Sequence, residues 1–235
     1  MTTILENPQI EPTHTTAVRA MPARVKQVYL PSQRVILVAG RDKYMGREIA
    51  YRMGMTGARV LLGTHDSQHG ESAVADMREE GIYANFVHID GEKPDTLAEV
   101  VRSIEAIYGR LDVLVNCAGI ADQADGPPSS VATQVVRRIF DRNFFAALST
   151  TQIMLPLLLK SRAGRVVNVS SGLGALSSNH SEQCAFTGAK HLGHSASDAA
   201  LNMLTVQLAH ELKDLGIKVN AAGPDFTAIE LGNFD

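Results

Sequence analysis

Residues 34–46 read RVILVAGRDKYMG, an unbroken apolar run that ends in Ala39-Gly40 and crosses a short polar loop to Gly46. A half-buried strand would alternate apolar and polar residues, so a continuous run of this length reads as a strand covered on both faces. Residues 44–56 then place Ile49, Ala50 and Met53 at helical spacing, and the strand therefore feeds a helix through a glycine turn. Working outward, the same unit recurs. ARVLLGT at 58–64 precedes a polar helical stretch at 67–80, and YANFVHID at 83–90 precedes a helix at 95–108 closed by Gly109. LDVLVNCAG at 111–119 leads through a Pro/Ser loop into a helical region at about 131–160, and RVVNVS at 165–170 and IKVNAAGP at 217–224 complete six strands. Strands alternating with helices of this length make right-handed βαβ units around a parallel sheet. The expected fold is α/β, a doubly wound parallel sheet in three α/β/α layers.

A chain of 235 residues that is 45% hydrophobic can bury one large core, and the pattern assigns 33–235 to a single domain. Residues 1–32, rich in Thr and Pro and without a sustained period, read as a flexible arm. A net charge of -3 with interspersed signs offers no basic stripe for nucleic acid. No apolar run approaches the roughly 18 residues of a membrane helix, and residues 1–31 lack the apolar centre of a signal peptide. Cys117 and Cys184 make no disulfide framework, so a reducing cytoplasm is the expected location.

Ligands of such sheets lie at the carboxyl ends of the strands. Two segments there carry chemistry. In the first turn Gly40 and Gly46 permit a tight bend and let backbone N–H groups approach a phosphate, although Tyr44 stands where a further glycine would open the loop. A strand-to-helix turn without a ligand is the alternative. The second segment is 170–198, SSGLGALSSNHSEQCAFTGAKHLGHSASD, where a strand end meets the start of a long helix. His194 and Asp198 stand at i and i+4 and share a helix face, so the carboxylate can orient the imidazole. With Ser171 the residue types match a Ser-His-Asp relay, and His191, His194 and Asp198 have a spacing that a metal site also uses. Solvated helix faces show that spacing more often, and no metal is assigned. Cys117 is read as a buried small hydrophobe.

From about residue 34 to 231 the chain resembles the short-chain dehydrogenase/reductase family. The resemblance rests on AGRDKYMG, HID with Asp90, LVNCAG with Asn116, DRNFF with Asn143, RVVNVSSG with Ser171 and KVNAAGPDFTA, in the family's order. It implies a Rossmann-type sheet binding NAD or NADP. The implied cofactor contacts are Gly40, Arg41, Tyr44, Met45, Gly46, His65, Asp90, Asn116, Ala118, Gly119 and Pro224. Thr64 offers no carboxylate to a free ribose hydroxyl and His65 stands where NADP users carry arginine, so the preference leans to NADP. The family's catalytic set is Ser, Tyr, Lys and Asn. Ser171 matches the serine and Asn143 the asparagine, which in the family orders a proton-relay water. HSASD lies where Tyr-x-x-x-Lys is expected, so His194 replaces the tyrosine and Asp198 the lysine. The register 186–190 would keep Lys190 but shifts the following helix by eight residues and supplies no tyrosine.

Two further departures lie near the end. Asp225 follows Gly223-Pro224 where the family has Pro-Gly, and the chain stops at Asp235, before the family's lid helix and seventh strand. The expected function is a non-redox acid/base enzyme of isomerase, lyase or cyclase type on a small carbonyl or hydroxyl compound, using His194 and Ser171 with Asp198 as orienter. Halohydrin dehalogenases resemble dehydrogenases in this way, with an aromatic residue in the glycine loop and no dinucleotide, although they keep the tyrosine. The alternatives are an NADP-dependent oxidoreductase with His194 in place of the tyrosine, and a catalytically silent binding protein. Relatives pair as dimers or tetramers, so a homo-oligomer is expected.

Overall fold

The computed structural model describes residues 33–40, 45–90, 93–177 and 191–223. The expected arm at 1–32 lies outside them. So do Arg41 and Tyr44, the alternative register at 186–190, and Pro224 and Asp225.

Six parallel strands form one sheet in the order β3-β2-β1-β4-β5-β6. They are β1 (Val35–Gly40), β2 (Arg59–Thr64), β3 (Ala84–His88), β4 (Val113–Cys117), β5 (Arg165–Val169) and β6 (Lys218–Ala222). The order reverses between β1 and β4, which opens the crevice that doubly wound sheets use for ligands. Register follows the apolar runs. Leu37 lies between Leu61 and Leu114, and Asn116 is opposite Ala39 on one side and Asn168 on the other.

Side chains of β1 alternate between two cores. Val35, Leu37 and Ala39 pack with α3 (Pro94–Tyr108), α5 (Ala146–Leu158) and α6 (Leu192–Leu212), through Leu97, Ile104, Met154, Leu157 and Leu208. Ile36 and Val38 pack on the opposite face with α1 (Met45–Met55) and α2 (Ser67–Glu79), through Ala50, Val74 and Met77. Burial on both faces is why these strands read as continuous apolar runs. Each fully buried Leu contributes about 1.5–3 kcal/mol.

Local signals set the helix ends. Asp66 accepts a hydrogen bond from the His69 N–H and so caps α2. Gly109, at φ 73°, closes α3 in the left-handed region, as its position after Tyr108 predicts. The helical region expected over about 131–160 is present but not uniform. α4 (Thr133–Phe140) passes into a wide turn of π-helical form at Asp141–Phe145 before α5 begins. Among the described residues no helix is long and apolar enough to cross a membrane.

Candidate active site

The crevice is built first by close backbone approach. Gly40 ends β1 at φ 152°, and a Cβ there would fall 2.4 Å from both the Cys117 carbonyl carbon and the Ala118 nitrogen. Only glycine lets β1 and the segment after β4 meet in this way. Gly46 is buried in the first turn of α1, with Met45 partly buried beside it. Gly119 lies 3.7 Å, measured from a Cβ position, from Asn143 Oδ1. His65 is exposed just beyond the buried Thr64 at the end of β2. The Asp90 carboxylate lies 3.2 Å from Lys93 Nζ, and the Asp90 N–H donates to Thr96 Oγ1.

Asn116 sits in the sheet itself. Its Nδ2 donates to Thr151 Oγ1 (3.0 Å) and Asn168 Oδ1 (2.8 Å), while Asn168 Nδ2 donates to Thr205 Oγ1 (2.8 Å). The chain Asn116–Asn168–Thr205 ties β4, β5 and α6 beneath the crevice, so the Asn116 side chain supports the site from below.

Asn143, at the centre of the π-helical turn, grips the peptide of Ile120. Its Oδ1 accepts from the Ile120 N–H at 2.7 Å, and its Nδ2 donates to the Ile120 carbonyl at 3.2 Å and to Ser197 Oγ at 3.0 Å. Both amide hydrogens are therefore engaged with protein. The Ser197 hydroxyl in turn donates to the His194 carbonyl. Asn143 here fixes the loop after β4 against α6, which is where the family resemblance had it ordering a water.

His194 is held on both sides. Its Nδ1 faces the Ile120 carbonyl at 3.4 Å, and its Nε2 lies 3.4 Å from Asp198 Oδ2. A carbonyl only accepts, so the Nδ1 contact assigns a proton to that nitrogen. Asp198 Oδ2 is buried and has no directed hydrogen bond, which leaves the Nε2 contact electrostatic. Burial pushes the Asp198 carboxyl above the usual carboxylate range, and the neighbouring His194 pulls in the opposite direction. With both ring nitrogens turned to these partners, neither is directed at Ser171, and the Ser-His-Asp relay expected from residue types is not assembled.

Ser171 stands at the end of β5. Its Oγ accepts from the Leu173 N–H at 3.2 Å and so starts the short turn Gly172–Gly174, leaving the hydroxyl hydrogen for another acceptor. Gly174 brings that turn against α6, since a Cβ there would lie 2.7 Å from Asp198 Cβ. Ser171, His194 and Asp198 are thus gathered at one end of the sheet, beside the buried and unpartnered hydroxyl of Ser170. Among the described residues no group of His, Cys, Asp and Glu is gathered to hold a metal, His191 included.

One carboxylate of the site was not found in the sequence. Asp125, in the loop after β4, accepts from the Gly193 and His194 N–H groups at 2.9 Å each, 68 and 69 residues away. No local pattern announces a helix cap supplied from another segment.

The crevice has features that suit a nicotinamide dinucleotide. Gly40, with no side chain, brings β1 against the segment after β4 at the point where the sheet order reverses, the place where such sheets hold a dinucleotide.

The short chain dehydrogenase family model matches residues 34–233, and the chain belongs to that family. It is 30% identical over 197 residues to a cyclopentanol dehydrogenase of Comamonas testosteroni, covering 84% of this chain and 74% of the relative. It is 27% identical over 205 residues to a short-chain type dehydrogenase/reductase of Picea abies, covering 84% and 72%. Among solved structures, an actinorhodin polyketide ketoreductase variant with NADPH superposes with a TM-score of 0.75 at 26% identity, covering 87% of this chain and 74% of that one.

Proposed function

We propose that this chain is an NADP-preferring oxidoreductase acting on a small carbonyl or alcohol, with His194 carrying the proton that tyrosine carries in the family. The observation that carries the reading is the seating of His194 between the Ile120 carbonyl and the Asp198 carboxylate, at the start of α6 where the family resemblance places that tyrosine. Family membership supports it, as do relatives named as a dehydrogenase and a ketoreductase, the latter crystallised with NADPH. The non-redox acid/base reading uses the same imidazole, but none of these relatives is named for such chemistry.

On this reading Gly40, Gly46, Ala118 and Gly119 would line the dinucleotide's path and His65 would lie at the adenosine end, where an imidazole suits a phosphate better than a carboxylate would. A bound nicotinamide supplies or accepts the hydride. In carbonyl reduction Ser171 Oγ–H would donate a hydrogen bond to the substrate oxygen, and His194, with Nε2 turned from Asp198 toward that oxygen, would deliver the proton that completes the alcohol. Asp198 supplies the opposite charge for the protonated ring, and in alcohol oxidation the neutral ring takes the proton back.

Titration with NADPH and NADH, followed by nicotinamide fluorescence and thermal shift, tests this. NADPH should bind more tightly than NADH and stabilise the protein by about 2.7 kcal/mol at a hundredfold excess over Kd. No binding of either at millimolar cofactor overturns the oxidoreductase reading and returns the non-redox one.

A further inference from the structure

We infer that Asp125 is a positioning residue, the clamp that holds His194 in its working orientation. The inference rests on His194 being the proton carrier. Helix α6 has no cap of its own: His191 precedes its first turn and makes no side-chain cap hydrogen bond. Asp125 supplies that cap from the loop after β4. One carboxylate oxygen accepts from the Gly193 N–H and from the Gly126 N–H, and the other accepts from the His194 N–H, all at 2.9 Å. The Leu192 N–H also donates to the Gly126 carbonyl.

The seat is tight. Asp125 is 8% exposed. A Cβ on Gly193 would come within 2.6 Å of Ile139 Cδ1 and within 3.3 Å of both Asp125 oxygens, so only glycine lets the turn settle on the carboxylate. The same loop reaches the ring through the Ile120 carbonyl, whose peptide Asn143 holds at both ends. The loop after β4 therefore grips His194 twice, by its main chain through Asp125 and by its ring through Ile120. A carboxylate is required because each of its oxygens meets an N–H. An asparagine turns its own N–H₂ toward one of those donors.

The experiment compares Asp125→Asn and Asp125→Ala with the native chain and with Asp66→Ala, which removes the comparable cap of the distant α2. In the cofactor-free protein the His194 ring Cε1–H resonance, assigned by its loss in His194→Ala, should shift in both Asp125 variants and stay in place in Asp66→Ala. With NADPH and a turned-over carbonyl, kcat should fall about a hundredfold, as expected for an Å-scale misplacement of a reacting group. The Kd for NADPH should change less than threefold. An unmoved ring resonance in Asp125→Asn, or a kcat within twofold of native, overturns the inference. Absence of NADPH binding in the native chain would instead remove the oxidoreductase reading, and the resonance would still decide the role of Asp125. Should Asp125→Ala not fold, Asp125→Asn carries both readouts.

Discussion

Two buried aspartates stand at opposite ends of the same sheet, and they are built differently. At the amino ends of the strands Asp112 is saturated: it accepts from the Val35 N–H at 2.8 Å, from Ser161 Oγ at 2.6 Å and from Arg110 Nε at 3.0 Å. At the carboxyl ends Asp198, 5% exposed, keeps one oxygen without a hydrogen bond. Burial raises the carboxyl pKa at both sites, but at Asp112 the hydrogen bonds and the guanidinium outweigh it and the pKa falls, whereas at Asp198 burial prevails and the pKa rises. One end of the molecule is finished for stability. The other holds an unsatisfied acceptor where a ligand is expected, a trade that functional sites make repeatedly.

The comparison can be broken in three places. The largest expected effect is at the functional end: His194→Ala should lower turnover by about 10²–10⁴-fold, the span of a lost general acid. Its thermal midpoint should move little, and unchanged turnover would remove His194 from the chemistry.

Next, Asp112→Asn should cost about 2–4 kcal/mol by urea unfolding, because buried donors lose a charged acceptor. The sign with pH is fixed by the lowered pKa of Asp112. Its stabilisation is complete above the unfolded value near 3.9 and is lost as pH falls through the lower folded value. The variant should therefore be flatter than the native chain in that acid window.

The smallest effect has the opposite sign. Asp198→Asn removes a buried, incompletely paired charge and should stabilise the protein at pH 7 by about 1 kcal/mol, or roughly 2–4 °C. Because the folded pKa of Asp198 is raised, its penalty is absent below about 3.9 and grows as pH climbs toward the folded value. The gap between native and variant should thus open with rising pH. A destabilised variant would show that Asp198 is satisfied and that the two ends are alike.

The fold was legible because runs such as VILVAG and RVLLGT are buried on both faces, and that burial leaves a mark in every residue. The helix carrying His194 and Asp198 was legible from its length and apolar continuation. The π-helical widening at Asp141–Phe145 was not, since one extra residue in a helix carries no turn or capping signal. Asp125 and the Ile120 carbonyl escaped for a different reason. They act through single hydrogen bonds that span about seventy residues, and such bonds leave no period to read. Asn116 and Asn143 were singled out from the sequence by the motifs that carry them. Their work of joining β4 to β5 and the loop after β4 to α6 became visible only when their partners were in place.

The turn at Asp141–Phe145 has a consequence for how such a site arises. The Ala146 N–H reaches back five residues to the Asp141 carbonyl, where a regular helix reaches back four, so the segment amounts to a helix carrying one inserted residue. Deleting any one residue between 141 and 145 would let α4 and α5 run together as a single regular helix. Because the wide turn takes up the extra residue, α4 and α5 would keep their faces on either side of the cut and only the bulge itself would close. What the deletion would remove is the bulge that now seats the Asn143 amide against Ile120 and Ser197. A single insertion or deletion therefore makes or removes the turn that carries Asn143 while the helices on either side stay in register.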